Sequence, residues 1–174
     1  MKGFKKFGGD YINDLGLYIR EYLQAHMKSS PNGIKIYVGC DSENSSNRTR
    51  YATVVLLYHV GAGAHYIFKS ESLPRIKDMY MKLWGEVERA FEVSEYLEIE
   101  LEGSYERIDA DEKLVDVDLD LNPSPRWRSN IAYDSGMGFM KAHGYRVRGK
   151  PTAWAASVAG DYVVRKKNQK RKKF

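Results

Sequence analysis

Apolar positions along the chain change period several times, and each change predicts a different element. From Asp10 to about Met27, Ile12, Leu15, Ile19, Leu23 and His26 recur at three- and four-residue spacing, which predicts an amphipathic helix. Ser29-Ser30-Pro31-Asn32-Gly33 ends it by turn chemistry. Ile34 to Cys40 alternates as a strand and runs into Asp41-Ser42. After the polar stretch Glu43 to Arg50, the β-branched and apolar run from Tyr51 to Val60 predicts a second strand. Gly61-Ala62-Gly63 turns the chain, and His65 to Lys69 returns as its partner. Pro74, tolerated in a first helical turn, predicts the start of a long helix reaching about Glu98.

Residues 99–112 are mostly polar and predict no element. Lys113 to Leu121 alternates strictly, with Val115, Val117, Leu119 and Leu121 on one face and Asp116, Asp118 and Asp120 on the other. Asn122-Pro123-Ser124-Pro125 terminates that strand. Ser129 or Asn130 caps a helix to about His143, Tyr145 to Arg148 forms a short strand, and Pro151 opens a last helix through Val164. The order after the opening helix is β-β-β-α-β-α-β-α. It predicts an α/β protein with a five-stranded mixed sheet covered by helices. Residues 1–30 read as a helical extension, 31–165 as the sheet domain and 166–174 as a tail. No internal repeat or low-complexity linker interrupts them.

The carboxylates change this picture from architecture to chemistry. On a helical wheel Glu86 lies about 20° from Met79, inside the stripe formed by Ile76, Leu83, Val87, Ala90, Val93 and Leu97, whereas Glu88 faces away. A buried carboxylate is costly unless it is paired or holds a metal. Pairing with a nearby base, or a helix end overhanging into solvent, is the alternative. Asp41 stands where a strand ends, the place in α/β sheets where ligand groups gather; a turn aspartate is the alternative. Asp120 ends another strand. Asp116, Asp118 and Asp120 on one face would repel without a cation or an exposed edge, and the pattern does not choose between Asp118 and Asp120. Asp161 lies one turn from Val158 and two from Trp154. If the sheet draws these acids together, hard oxygen ligands of this kind suit Mg²⁺ or Mn²⁺ and phosphoryl chemistry, with the cations inverting the local charge.

Charge is distributed unevenly. The 174 residues carry 28 Lys and Arg against 23 Asp and Glu, a net +5, yet the last ten, Arg165 to Phe174, hold seven bases and no acid, leaving −2 for the rest (5 − 7). Arg165, Lys166, Lys167, Lys170, Arg171, Lys172 and Lys173 therefore form a candidate nucleic-acid arm, or a solvated terminus. The single cysteine, Cys40, ends an apolar run and reads as a buried thiol in a reducing cytoplasm. No run of about 18 apolar residues predicts a membrane span. The four histidines lack metal-ligand spacing, no Gly-x-Ser-x-Gly elbow or phosphate-binding loop occurs, and the Gly-x-Gly at 61–63 lies between strands.

Several segments together resemble the YkuK-like family of poorly characterised bacterial and phage proteins with a ribonuclease H-like fold. They are Val38-Gly39-Cys40-Asp41-Ser42, Leu83-Trp84-Gly85-Glu86-Val87-Glu88, Asp120-Leu121-Asn122-Pro123 with Arg128-Ser129-Asn130, and Gly149-Lys150-Pro151 running through Trp154 to Asp161. The resemblance spans about Ile34 to Arg165. It implies acids on the first strand (Asp41), the first helix (Glu86), the fourth strand (Asp120, with Asp118 in competition where the family more often has His) and the last helix (Asp161). Gly160 stands before Asp161 where the family has Ala. Lys150 matches a family Lys-Pro and is a candidate phosphate contact. The expectation is a divalent-metal-dependent nuclease. The same fold as an inactive nucleic-acid-binding or adaptor protein, and a small-molecule phosphoesterase, are the alternatives.

Overall fold

The computed structural model describes residues 1–6, 8–103 and 113–153. A two-residue strand, β1 (Lys5–Lys6), precedes helix α1 (Leu15–His26). The Asp14 carboxylate accepts the Leu17 N–H at 2.8 Å and sets the start of α1 at Leu15, not at Asp10 as its apolar spacing suggests. Three long strands follow: β2 (Ile34–Asn44), β3 (Arg48–His59) and β4 (Gly63–Pro74). Gly61 and Gly63 turn the β3–β4 hairpin with φ of 82° and 107°, a region open to glycine.

Both hairpin strands outrun their apolar stretches. Ser70, Glu71 and Ser72 stay in β4 because Ala52, Tyr51 and Arg50 of β3 pair with them, so ladder bonding overrides propensity. Pro74 is the last residue of β4 rather than the first turn of a helix. Helix α2 (Met79–Glu100) begins where Asp78 accepts the Met81 N–H at 2.8 Å. Strand β5 (Val115–Leu119), a 3-10 turn (Arg128–Ala132), helix α3 (Tyr133–Ala142) and strand β6 (Val147–Arg148) complete the described elements. Pro151 and Thr152 lie in a turn, and the helix expected onward to Val164 falls outside the described residues.

The sheet has six strands in the order β1-β4-β3-β2-β5-β6. The sixth, not anticipated from the pattern, is β1, which pairs antiparallel with Ile67 and Phe68. β2–β3 and β3–β4 pair antiparallel, while β2–β5 and β5–β6 are parallel. All three described helices pack on one face. Leu15, Ile19 and Leu23 of α1, Leu83, Val87 and Ala90 of α2, and Met137 and Met140 of α3 share a core with Ile36, Val38, Val115, Val117 and Leu119. Phe4 and Ile12, ahead of α1, join the same core. The opposite face gathers Tyr37, Leu56, Tyr58 and Tyr66. Among the described residues no helix is long and apolar enough to cross a membrane.

Candidate functional site

The site forms at the C-terminal ends of the two central parallel strands. Cys40 of β2 pairs with Leu119 of β5. Asp41 follows Cys40 in β2 and Asp120 is the first residue after β5, so both acids stand at this strand end. Alternation turns both toward the face away from α2, and turns Ser42 toward α2.

Glu86 reaches the same strand end from α2, and Gly85 makes that approach close. A Cβ on Gly85 would lie 2.5 Å from the Tyr51 hydroxyl, which donates to the Lys82 carbonyl at 3.0 Å. The Arg89 guanidinium lies over the Tyr51 ring and pairs with Glu71, fixing the same turn of helix to β3 and β4. So clamped, α2 turns Glu86 into the protein at 4% exposure while Glu88 faces water, as the helical wheel indicates. The Ser42 hydroxyl donates to Glu86 Oε1. Burial first, and then the charge of Asp41, push the Glu86 carboxyl well above the usual carboxylate range. Ser42 and Lys82 oppose this, and Asp120 adds to it. Three acids from β2, α2 and the end of β5 therefore sense one another. Cys40, next to Asp41, is buried, and burial with the Glu86 charge pushes its thiol up as well.

The three aspartates of the β5 segment have cations of their own. Arg146 Nε donates to Asp116 Oδ1 at 2.5 Å, and Arg148 Nε donates to Asp118 Oδ1 at 2.8 Å. Lys150 Nζ lies 2.6 Å from Asp120 Oδ1, a charge contact without hydrogen-bond alignment. Parallel pairing of Asp118 with Arg148 sets this ladder, in which each base lies thirty residues beyond its acid. Asp118 is fully buried, with the Arg148 guanidinium also covering the Tyr37 ring at 4.3 Å. Gly149 lets β6 approach, since a Cβ there would meet Tyr133 at 2.7 Å and the Leu121 carbonyl at 3.1 Å. The Lys150 N–H then donates to that carbonyl at 2.8 Å.

The structure thus brings Asp41, Glu86 and Asp120 to one strand end with Lys150 beside them, and places Asp118 one step deeper against Arg148. Asp161, Arg165, Lys166, Lys167, Lys170, Arg171, Lys172 and Lys173 lie outside the described residues. Among the described residues no group of three or more His, Cys, Asp or Glu is arranged to hold a metal ion. The donor chemistry of Asp41, Glu86 and Asp120 nevertheless fits a hard divalent cation, because all three offer carboxylate oxygens and Glu86 is a buried carboxyl with no salt bridge to a base among the described residues. Sequence reasoning missed Ser42 as the partner of Glu86. It also missed the bases opposite the aspartates, although Arg146-x-Arg148-x-Lys150 alternates just as Asp116-x-Asp118-x-Asp120 does.

A family model described as ribonuclease H-like matches residues 18–165. Searches of curated proteins and of solved structures gave no match. The matched span takes in most of α1 and every later element, and the mixed sheet with its flanking helices agrees with that match. The chain belongs to the ribonuclease H-like family.

Proposed function

We propose that this chain is a divalent-metal-dependent nuclease in which Asp41, Glu86 and Asp120, joined by Asp161, hold Mg²⁺ or Mn²⁺ and cleave phosphodiester bonds. The observation that carries this reading is Glu86, a buried carboxylate whose electrostatic neighbours are Asp41 and Asp120. A fold does not by itself specify chemistry, but a buried acid within electrostatic reach of two others at a strand end is a site-level feature. The bound cation supplies the positive charge that lets a phosphodiester approach an acidic centre. Glu86, clamped through Tyr51 and Ser42, holds its carboxylate at the strand end without reorganising. Asp41 and Asp120 present oxygens from the two strands. Lys150 offsets Asp120 and meets a substrate phosphate. Asp118 serves as a positioning residue, anchoring Arg148 and so the strand that delivers Lys150. Residues 165–173 follow the nucleic-acid backbone electrostatically. The YkuK-like resemblance and a cytoplasmic location complete this reading.

Purified chain incubated with labelled RNA, DNA and hybrid duplexes in Mn²⁺ is expected to cleave at least one of them, with EDTA or Asp41→Asn removing cleavage. Cleavage indifferent to both overturns the assignment. The Lys150–Asp120 contact favours one second reading, a binding or adaptor protein without turnover, because it already places a cation on one of the acids. Tight binding with no cleavage in Mn²⁺ selects that reading.

A further inference from the structure

The loop that leaves β5 carries a feature outside the carboxylate site. In Asn122-Pro123-Ser124-Pro125-Arg126-Trp127-Arg128 the tryptophan is 62% exposed, and both flanking arginines are exposed. An indole is among the largest apolar groups a chain can leave in water, and here it is held out by a braced loop. The Ser124 N–H donates to Asn122 Oδ1 at 2.9 Å, the Trp127 N–H to the Ser124 carbonyl at 3.1 Å, and the Asn130 N–H to the Trp127 carbonyl at 3.0 Å. The Asn130 amide closes the loop by donating to the carbonyls of Asn122 at 3.2 Å and Pro123 at 2.8 Å. The loop therefore does not have to order itself when it meets a ligand.

Its position links it to the acids. It starts two residues after Asp120, and its far end, the 3-10 turn, buries Ala132 in the core shared with α2, the helix that carries Glu86. An exposed indole flanked in sequence by two exposed arginines, on the loop that leaves β5 beyond Asp120, matches the chemistry of a base flanked by phosphates. Stacking on a ring requires an unpaired base, because a base inside a duplex is already stacked on both faces.

We infer that Trp127, with Arg126 and Arg128, is a stacking platform for an unpaired base of a nucleic-acid strand entering the carboxylate site. This rests on the function proposed above and adds a substrate class: a strand that is single-stranded where it meets the protein. The ring stacks on the base without regard to its identity, and the two arginines neutralise the neighbouring phosphates.

The test is fluorescence anisotropy of labelled single-stranded RNA, single-stranded DNA and their duplexes with the full chain in EDTA, so that binding is read apart from cleavage. Trp127→Ala is expected to weaken single-strand binding about tenfold, with duplex binding unchanged and Trp127→Phe restoring most of the loss. The pair Arg126→Ala and Arg128→Ala is expected to flatten the salt dependence of single-strand binding by roughly one to two log units per log of salt. The RNA and DNA arms show which sugar is preferred. Single-strand affinity unaltered by Trp127→Ala, or lost equally on duplex, overturns the platform. If Trp127→Ala binds normally while the unaltered chain still cleaves in Mn²⁺, the platform fails and the nuclease reading stands. If the unaltered chain binds neither single strands nor duplexes in EDTA, the platform fails, and cleavage in Mn²⁺ decides the nuclease reading by itself.

Discussion

At Glu86, burial and charge oppose each other. Its carboxyl is pushed up by burial and by Asp41, so its folded-state pKa lies above that of the unfolded chain. A group shifted in that direction contributes stability that is present below its unfolded pKa and is lost as pH rises through its folded one. Once ionised, the buried side chain is therefore a cost unless a cation is present. Glu86→Gln keeps an oxygen for the Ser42 hydroxyl and removes the charge. In EDTA at neutral pH it is expected to raise stability by about 1 kcal/mol, roughly 2–4 °C in Tm for a chain of this size. Millimolar Mg²⁺ is expected to raise the Tm of the unaltered chain and to leave that of Glu86→Gln unmoved. Thermal scans with and without the metal check both, and a lower Tm for Glu86→Gln in EDTA would reject the account. Helical spacing was enough to place Glu86 among buried residues, because the period of an α-helix is fixed. Its contact with Ser42 was not legible, because that depends on how α2 rotates over the sheet, and Gly85 and Tyr51 decide that rotation.

Strand β5 and the β6 segment act as one charged element. Outside a fold, three aspartates on alternate positions repel; inside it, Arg146, Arg148 and Lys150 lie opposite them one for one. The three rungs are not equal. Asp118 is fully buried, so removing Arg148 strands an anion in the interior, whereas Arg146 is about half exposed and its pair is screened by water. Arg148→Met is expected to destabilise by about 3 kcal/mol and Arg146→Ala by less than about 1 kcal/mol, read from urea midpoints. Adding Asp118→Asn to Arg148→Met is expected to recover most of the loss, since no buried charge then lacks a partner. A double variant as unstable as the single one would show that Asp118 matters for its shape alone. Matching alternation made the ladder readable at the level of residue types. Knowing that β6 joins β5 in parallel, at an offset of thirty residues, required the topology. The strand pattern also missed β1 and carried Pro74 into the wrong element, in both cases because pairing partners rather than local preference set the boundary.

Across the whole molecule, the acids occupy one end of the central strands and a histidine–tyrosine cluster occupies the other, near Ile34, roughly 23 Å from Asp41 along β2. There His59 of β3 pairs with Ile34, its Nδ1 lying 2.6 Å from the Ser30 hydroxyl and its Nε2 2.8 Å from the Tyr22 hydroxyl. His65 of β4 lies 2.9 Å from the Tyr18 hydroxyl and stacks on Tyr22, which also meets His26 of α1. Sequence spacing excluded these histidines as metal ligands but did not bring them together, since α1 and the hairpin meet only through the tertiary fold. The cluster ties α1 to the sheet and faces Lys6 of β1, so burial first, and then Lys6, His26 and His59, push the His65 pKa below its ordinary 6.5. A folded-state pKa lowered in this way means that the unfolded chain takes the proton first. The stability it contributes is complete above pH 6.5 and falls as the pH drops from there toward the folded value. Acidification from pH 7.5 to 5.5 is therefore expected to lower the Tm of the unaltered chain, and His65→Phe is expected to lose less over the same interval. Glu86 contributes in the opposite direction, gaining stability as the pH falls, so the comparison belongs in a Glu86→Gln background, which removes that opposing contribution. If His65→Phe in that background falls as steeply as its parent, the hold of α1 on the sheet does not depend on the charge of His65.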